Sequence, residues 1–250
     1  PVELAAAICN AGGMGACGAL NLEPDQIFSW TEKLRSHTNG SFLLNTWVAG
    51  PKPIRNVEHE QQVRKFLSVF GPSIPEEVAN QPLISFEKQC QAMLEANPNV
   101  ISSIMGLFKP AFVEQLRRQK IRWFATVTSV TEAVLAEKAG ADALVVQGSE
   151  AGGHRGNFIT DHDQSAGLMA LVPIVADAVN IPIIAAGGIA DSRTISAAIL
   201  LGASAVQIGT GFLRTPEAAI ASAWADAAPA VARTHGWFRY GEREIRAAAL

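Results

Sequence analysis

Ser129–Gly148 reads SVTEAVLAEKAGADALVVQG, and Asp191–Gly209 repeats its plan as DSRTISAAILLGASAVQIG. In each segment a helical pattern runs to a Gly-Ala-x-Ala turn, and an apolar run of strand length then ends at a glycine. Ser129 and Glu132 have the spacing of a capping box, which predicts that the first helix begins there. A helix followed by a wholly apolar strand, twice over, is typical of a parallel sheet covered by helices.

The same alternation of helices and strands extends through most of the chain. We predict seven strands, near residues 14–20, 41–48, 100–107, 121–127, 144–146, 181–186 and 205–209. Strict alternation predicts an α/β fold, and we interpret it as a TIM (β/α)8 barrel. An intact doubly wound sheet is the competing interpretation.

A (β/α)8 barrel has eight strands, and this chain opens on a helical pattern at residues 2–10. We therefore expect strand 1 to lie upstream of residue 1, and we expect the barrel to cover residues 1–228. Glycine and proline interrupt the region at about residues 52–82, which predicts an inserted segment. Residues 229–250 have no predicted place in the barrel.

The composition narrows the class of protein. The chain has 250 residues, of which 48% are hydrophobic and 17% charged, so it can bury the core of one large domain. A net charge of −3 favours neither nucleic acid nor an anionic membrane as a partner. The three cysteines form no C-x-x-C pair, and no apolar run reaches the roughly 18 residues that span a bilayer. We expect a cytoplasmic protein without a signal segment.

A glycine-rich loop with one histidine follows the fifth predicted strand. Residues 147–156 read QGSEAGGHRG, and the glycines around His154 allow the backbone to approach a ligand closely. The ordinary pKa of an imidazole, about 6.5, suits it as a base at neutral pH, and we take His154 as the candidate base. Arg155 either stabilises an anion or is a surface residue. His162, in Asp-His-Asp, is the rival base, and a solvated loop is its plainer explanation.

Two consecutive strands end in glycine-rich loops that suit a phosphate group. Gly187 and Gly188 follow one strand, and Gln207-Ile208-Gly209-Thr210 ends the next. In barrels, the loops after the last two strands and a nearby helix N-terminus bind phosphate through backbone N–H groups. Thr210 adds a hydroxyl donor. Ordinary turn glycines are the plainer explanation for either loop alone.

Other patterns are weaker or absent. Gln147 and Asn45 lie at strand ends, where an amide can pair with the edge of a heterocycle or simply cap the strand. Residues 13–18 match G-x-G-x-x-G, but they follow a helix and open a strand, so we reject a dinucleotide fingerprint. The sequence contains no H-E-x-x-H and no G-x-S-x-G, and we expect no metal site.

Together these motifs resemble the nitronate monooxygenase family, formerly called 2-nitropropane dioxygenases. The match covers roughly residues 1–228. Its most specific part is QGSEAGGHRG at 147–156, supported by AGGIA at 186–190 and QIGT at 207–210. The family is an FMN-binding TIM barrel that oxidises alkyl nitronates with O2.

The resemblance implies roles for individual residues. It implies that Gly187, Gly188, Gly209 and Thr210 hold the FMN phosphate. Gln147, Gly152, Gln207 and Asn45 would line the flavin, and His154 would be the catalytic base. The family's first strand and its Pro-Met loop have no counterpart in this sequence.

Three functions remain open at this point. The first is FMN-dependent oxidation of a small alkyl nitronate by O2, with neutral nitroalkanes as a second substrate class. The second is an NAD(P)H-dependent FMN reductase acting on a quinone or an enoyl thioester, because flavin enoyl reductases share the Glu-Ala-Gly-Gly-His loop. The third is a non-catalytic flavin-binding barrel. The number of subunits is also open, with a homodimer as one option.

Overall fold

Seven parallel strands form the body of the protein. The computed structural model describes residues 1–50, 54–80, 84–159, 166–221, 223, 238–240 and 243–245. Each strand pairs with the next one along the chain, in the order β1 to β7. They are β1 Gly15–Gly18, β2 Phe42–Trp47, β3 Val100–Ile104, β4 Arg122–Val127, β5 Ala143–Gln147, β6 Ile183–Ala186 and β7 Ala205–Gln207.

This strand order distinguishes the two folds that the sequence left open. A doubly wound sheet reverses its strand order at a switch point, whereas here the order is consecutive throughout. The prediction of seven parallel strands is confirmed, and the doubly wound alternative is wrong.

The sheet curls around a common interior that is open on one side. Neither β1 nor β7 pairs with a further strand among the described residues. Both edges face one cavity of about 950 Å³, whose lining includes Ala16 from β1, Phe124 from β4 and Val206 from β7. The described residues therefore form an incomplete (β/α)8 barrel, as predicted.

Helices separate most of the strands. They are α1 Val2–Asn10, α2 Pro24–Arg35, α3 Val57–Leu67, α4 Phe86–Ala96, α5 Pro110–Arg118, α6 Val130–Ala139, α7 Leu168–Ala176 and α8 Ser192–Leu200. Short 3-10 helices cover Glu76–Asn80, Thr210–Phe212 and Pro216–Ala218. Two short strands, β8 Phe238–Tyr240 and β9 Arg243–Ile245, pair antiparallel in the region for which the sequence predicted no place. None of the helices in the described residues is long and apolar enough to cross a membrane.

The main core lies between the outer face of the sheet and the helices. Ile101, Trp123 and Leu144 lie on neighbouring strands, are almost completely buried and belong to one hydrophobic cluster. The indole Nε1 of Trp123 donates a hydrogen bond to the Ser103 hydroxyl at 3.0 Å, so its polar atom is satisfied inside the core. Burial on both faces explains why these strands consist mainly of apolar residues.

Helix α6 begins and ends where the sequence predicted. Ser129 is its N-cap and accepts a hydrogen bond from the Glu132 N–H at 3.2 Å, and Gly140 ends it with a φ of +95°. Only half of the predicted capping box forms, however. The Glu132 carboxylate accepts from the Thr128 N–H, one residue before the cap, at 2.7 Å. The Glu132 carboxylate therefore accepts a hydrogen bond that a capping box does not include.

The predicted inserted segment contains α3 and the 3-10 helix Glu76–Asn80. Asn56 caps α3 by accepting from the His59 N–H, and α3 buries none of its residues. Phe66, Val69 and Phe70 are exposed. The segment thus adds little to the core, and its assignment as an insertion in a domain of residues 1–228 stays a prediction.

Replacing Ser129 with alanine should lower the free energy of unfolding by about 1 kcal/mol, because the Glu132 N–H loses its acceptor. Urea denaturation checks this value. Thr131→Ala is the matched control, since Thr131 is exposed in the same first turn and does not cap the helix. Equal losses in the two variants would contradict the capping role of Ser129.

Candidate functional site

The carboxyl ends of β5, β6 and β7 lie side by side. Gln147 is in register with Ala186, and Ala186 with Gln207. A pocket of about 100 Å³ opens at these three strand ends. Its lining consists of Gln147, Ala151, Gly152, Ala186, Gly187, Gly188, Ile189, Gln207, Ile208, Gly209, Thr210 and Gly211. The structure therefore gathers in one place seven of the nine predicted site residues, all of them from the cofactor-binding set.

The loop after β6 requires its two glycines. Gly187 has a φ of +126° and Gly188 a φ of +62°, conformations that residues with side chains rarely adopt. A Cβ at Gly187 would lie 3.1 Å from the Cβ of Ala151, and one at Gly188 would lie 3.1 Å from the Cγ of Glu150. This loop therefore packs tightly against the loop after β5, which leaves room only for glycine.

Backbone N–H groups are the main donors in the pocket. Among the described residues, no group accepts a hydrogen bond from the N–H groups of Gly188, Ile189 or Gly209. Thr210 opens the 3-10 helix Thr210–Phe212 and brings its hydroxyl to the same pocket. Free N–H groups on glycine-rich loops suit an anionic ligand.

The N-terminus of α8, in contrast, already has its own anion. The Asp191 carboxylate accepts from the N–H groups of Arg193 and Thr194 at 3.1 and 3.0 Å. Hydrogen bonds from the Arg193 side chain and the Thr194 N–H lower the pKa of Asp191 to about 2, so it is ionised at neutral pH. An anion in the pocket must therefore be held by the loops rather than by this helix end.

The segment of residues 148–159 that follows β5 is called the histidine loop below. Hydrogen bonds from the Gln147 side chain hold it at the end of β5. Its Nε2 donates to the carbonyl of His154 at 3.0 Å, and its Oε1 accepts from the N–H of Gly156 at 2.8 Å. Arg155 donates in return to the backbone carbonyl of Gln147 at 3.3 Å. An amide nitrogen carries two hydrogens, so Gln147 retains one donor for a ligand in the pocket.

His154 lies at the carboxyl edge of the sheet but outside the pocket lining. Its ring is exposed and meets the ring of Trp47, the last residue of β2, edge to face with centroids 4.6 Å apart. The loop crosses the mouth of the barrel, because the N–H of Met105 donates to the carbonyl of Gly156. A Cβ at Gly156 would come within 2.9 Å of both Ile104 and Thr126. The imidazole is thus held on the same face of the barrel as the pocket.

Asn45 is the cofactor-binding candidate that the structure separates from the pocket. It lies on β2 between Gly18 and Ser102, and its Nδ2 donates to the Ser102 hydroxyl at 2.8 Å. The rival base His162 lies outside the described residues.

Two carboxylates that organise the site were not predicted in this role. Both oxygens of Glu150 accept from the N–H of Leu168, at 3.0 and 3.1 Å, so this side chain fixes the start of α7 beside the pocket. Glu132 is buried and accepts from the N–H groups of Phe158 and Ile159, at 2.6 and 2.9 Å. In the sequence Glu132 was visible only as a capping residue. Trp47 was also missed, although alternation along β2 places it on the same face as Asn45.

Comparison with known proteins gives one consistent result. The sequence model of the nitronate monooxygenase family matches residues 2–236. A probable nitronate monooxygenase from Staphylococcus haemolyticus is 37% identical over 224 residues, which cover 86% of this chain and 62% of that protein. The chain thus spans 62% of the length of this curated relative, and the same share of its counterpart from Staphylococcus aureus N315, which is 35% identical.

Two solved structures are similar over almost the whole chain. A nitroalkane oxidase from Streptomyces ansochromogenes has a TM-score of 0.87 and 30% identity, covering 98% of this chain and 72% of that one. The M276A mutant of FabK from Thermotoga maritima has a TM-score of 0.74 and 26% identity, covering 98% and 68%.

Replacing Gly187 with alanine should lower the free energy of unfolding by about 1–3 kcal/mol, because alanine would be strained at this φ. Gly209→Ala is the matched control from the neighbouring loop. Its φ is −98°, and a Cβ there would meet no atom within 4 Å, so its stability should hardly change. Urea denaturation of the two variants measures both values, and similar losses would contradict the strain argument.

Proposed function

The chain belongs to the nitronate monooxygenase family, and from this premise we propose that it oxidises alkyl nitronates with O2, using FMN as its cofactor. The observation that carries the proposal is the pocket of free N–H groups at the ends of β6 and β7, next to the loop that holds His154. The structural similarity to a nitroalkane oxidase supports a nitro compound as the substrate.

The pocket fits the phosphate end of FMN. Its volume of about 100 Å³ suits a phosphate group rather than a whole cofactor. The N–H groups of Gly188 and Gly209, with the hydroxyl of Thr210, would donate to the phosphate oxygens. Gly187 allows the close packing that shapes this cradle.

The amide side chains at the strand ends are candidates to line the flavin ring. Gln147 and Gln207 border the pocket, and Gly152 belongs to the same lining. We retain Asn45 in this set because of the family resemblance, although it lies on β2 and its amide is bonded to Ser102.

The protein's own contribution to the reaction is position, charge and a base. Bound FMN would supply the acceptor for the electrons of the substrate and the means of passing them to O2. A nitronate has already lost its carbon-bound proton, whereas a neutral nitroalkane has not. We assign removal of that proton to the imidazole of His154, which Trp47 contacts and which the Gln147 amide positions through the loop backbone.

The setting of this reaction is also part of the proposal. We propose a small-molecule nitronate as substrate and a cytoplasmic location, with neither nucleic acid nor membrane as a partner. A homodimer stays one option for the assembly.

A flavin reductase is the second candidate, because the chain is also similar to FabK. In this alternative NAD(P)H would reduce the flavin, and a quinone or an enoyl thioester would accept the electrons. The two candidates therefore differ in the electron donor.

Replacing His154 with asparagine should reduce turnover of neutral nitroalkanes by about 100-fold or more, the usual contribution of a positioned base. Turnover of the preformed nitronate should change by no more than a few-fold, because it needs no proton removal. Oxygen consumption with each substrate measures both rates. His59→Asn, in the exposed helix α3, is the control and should leave both rates intact. Loss of neither activity in His154→Asn would remove the assignment.

Anaerobic mixing should separate the two enzyme candidates. With FMN bound, we expect a nitronate to bleach the flavin absorbance promptly and NADH to bleach it slowly or not at all. Rapid bleaching by NADH would favour the reductase. Bleaching by neither donor would favour a non-catalytic flavin-binding barrel.

A further inference from the structure

Glu132 is a buried carboxylate whose hydrogen bonds reach the histidine loop. Its side chain is 1% exposed and lies in the first turn of α6, away from the lining of the pocket. Its Oε2 accepts from the N–H and the hydroxyl of Thr128, at 2.7 and 2.8 Å. Its Oε1 accepts from the N–H groups of Phe158 and Ile159, at 2.6 and 2.9 Å. One side chain thus joins the start of α6 to a loop about 26 residues further along the chain.

These three N–H groups and one hydroxyl donate the hydrogen bonds that water would donate to an exposed carboxylate. None of the salt bridges within the described part of the chain includes Glu132. Burial of a carboxylate is unfavourable unless hydrogen bonds compensate it, and two donors at each oxygen provide that compensation. Helix capping alone would not require burial, because an exposed residue can cap equally well. The burial therefore reflects the contact with the loop.

The loop is held at two points, one at residues 154–156 and the other at residues 158–159. Gln147 binds the backbone of His154 and Gly156, and Glu132 binds that of Phe158 and Ile159. Gly156, in the first of these, also packs against Ile104 and Thr126 at the barrel mouth. The imidazole of His154 is exposed and has a ring contact with Trp47, so its position follows from where the loop backbone lies.

We propose that Glu132 is a positioning residue that holds residues 154–159 against the barrel mouth and thereby places the imidazole of His154. The kinetic part of this inference rests on the proposed function, in which His154 is the base. The structural part concerns the loop alone and does not depend on any activity.

Glu132→Gln tests the proposal with little change of shape. An amide has one oxygen that accepts and one nitrogen that donates, so one of the two donor pairs must lose its acceptor. If the nitrogen faces the loop, both loop bonds are lost. If it faces Thr128, the hydroxyl can rotate to accept, but the Thr128 N–H is left unpaired and the start of α6 shifts. Glu132→Ala has neither acceptor, so it loses both loop bonds whichever way the glutamine amide faces, and it is measured beside Glu132→Gln.

Hydrogen–deuterium exchange measures the loop directly. We expect the amides of Phe158 and Ile159 to exchange at least about tenfold faster in Glu132→Ala than in the unaltered protein. Glu132→Gln should show the same increase where its amide nitrogen faces the loop. Glu137→Gln is the matched control, because Glu137 lies on the same helix and accepts from the N–H of Asn180, away from the loop. It should leave exchange at both loop amides unchanged.

Kinetic measurements then show whether the position of the loop determines the position of the catalytic base. In Glu132→Gln we expect kcat for a neutral nitroalkane to fall about 10- to 100-fold, because small displacements of a catalytic group cost this much. We expect kcat for the preformed nitronate to change less than about twofold.

Three results would overturn the proposal. Unchanged exchange at Phe158 and Ile159 in both Glu132→Gln and Glu132→Ala would show that Glu132 does not hold the loop. Faster exchange with unchanged turnover of both substrates would show that the loop does not place the base. A parallel fall in both activities would indicate general damage to the site.

Failure of the proposed function would look different. The unaltered protein would then turn over neither substrate, and the exchange experiment alone would decide whether Glu132 holds the loop. If the Glu132 variants do not fold, Ile159→Pro is the alternative, because it removes one loop donor and leaves the carboxylate in place. Exchange is then measured at Phe158 alone, since proline has no N–H.

Discussion

Parallel pairing of β5, β6 and β7 is the constraint on which the whole site depends. Because Gln147, Ala186 and Gln207 share one register, the three loops that follow them leave the sheet at the same edge. The helices that cover the outer face of the sheet fix this alignment through a continuous core that includes Leu144 and Ala185. A shift of one strand by one residue would turn its side chains to the opposite face and separate the loops from one another.

Ordering a glycine-rich loop on folding costs much conformational entropy. Hydrogen bonds from polar side chains offset that cost here. Gln147, Glu132 and Glu150 each bond to backbone N–H groups of a neighbouring segment rather than to another charged side chain. Such bonds do not depend on the identity of the loop side chains. The loops can therefore carry glycines where a ligand must approach closely and still keep a defined path.

Local patterns were the part of this structure that the sequence could predict. Strand and helix positions follow from periodicity, and Gly187 and Gly188 stood out because they directly follow an apolar strand. Long-range polar contacts could not be read in the same way. Glu132 matched a capping box, yet two of its four hydrogen bonds come from residues 26 and 27 positions away. The sequence likewise gave no sign that the Asn45 amide bonds to Ser102, which lies 57 residues further along the chain. In both residues the type of side chain was informative, but its partner depended on the register of distant strands.

The contact of Gly156 with the barrel mouth limits which changes of sequence the loop around His154 can tolerate. At this position a Cβ would come within 2.9 Å of side chains on both β3 and β4. Any larger residue would therefore push the loop away from the strand ends and move the imidazole outward with it. The reach of the histidine is thus determined by a neighbour that has no side chain.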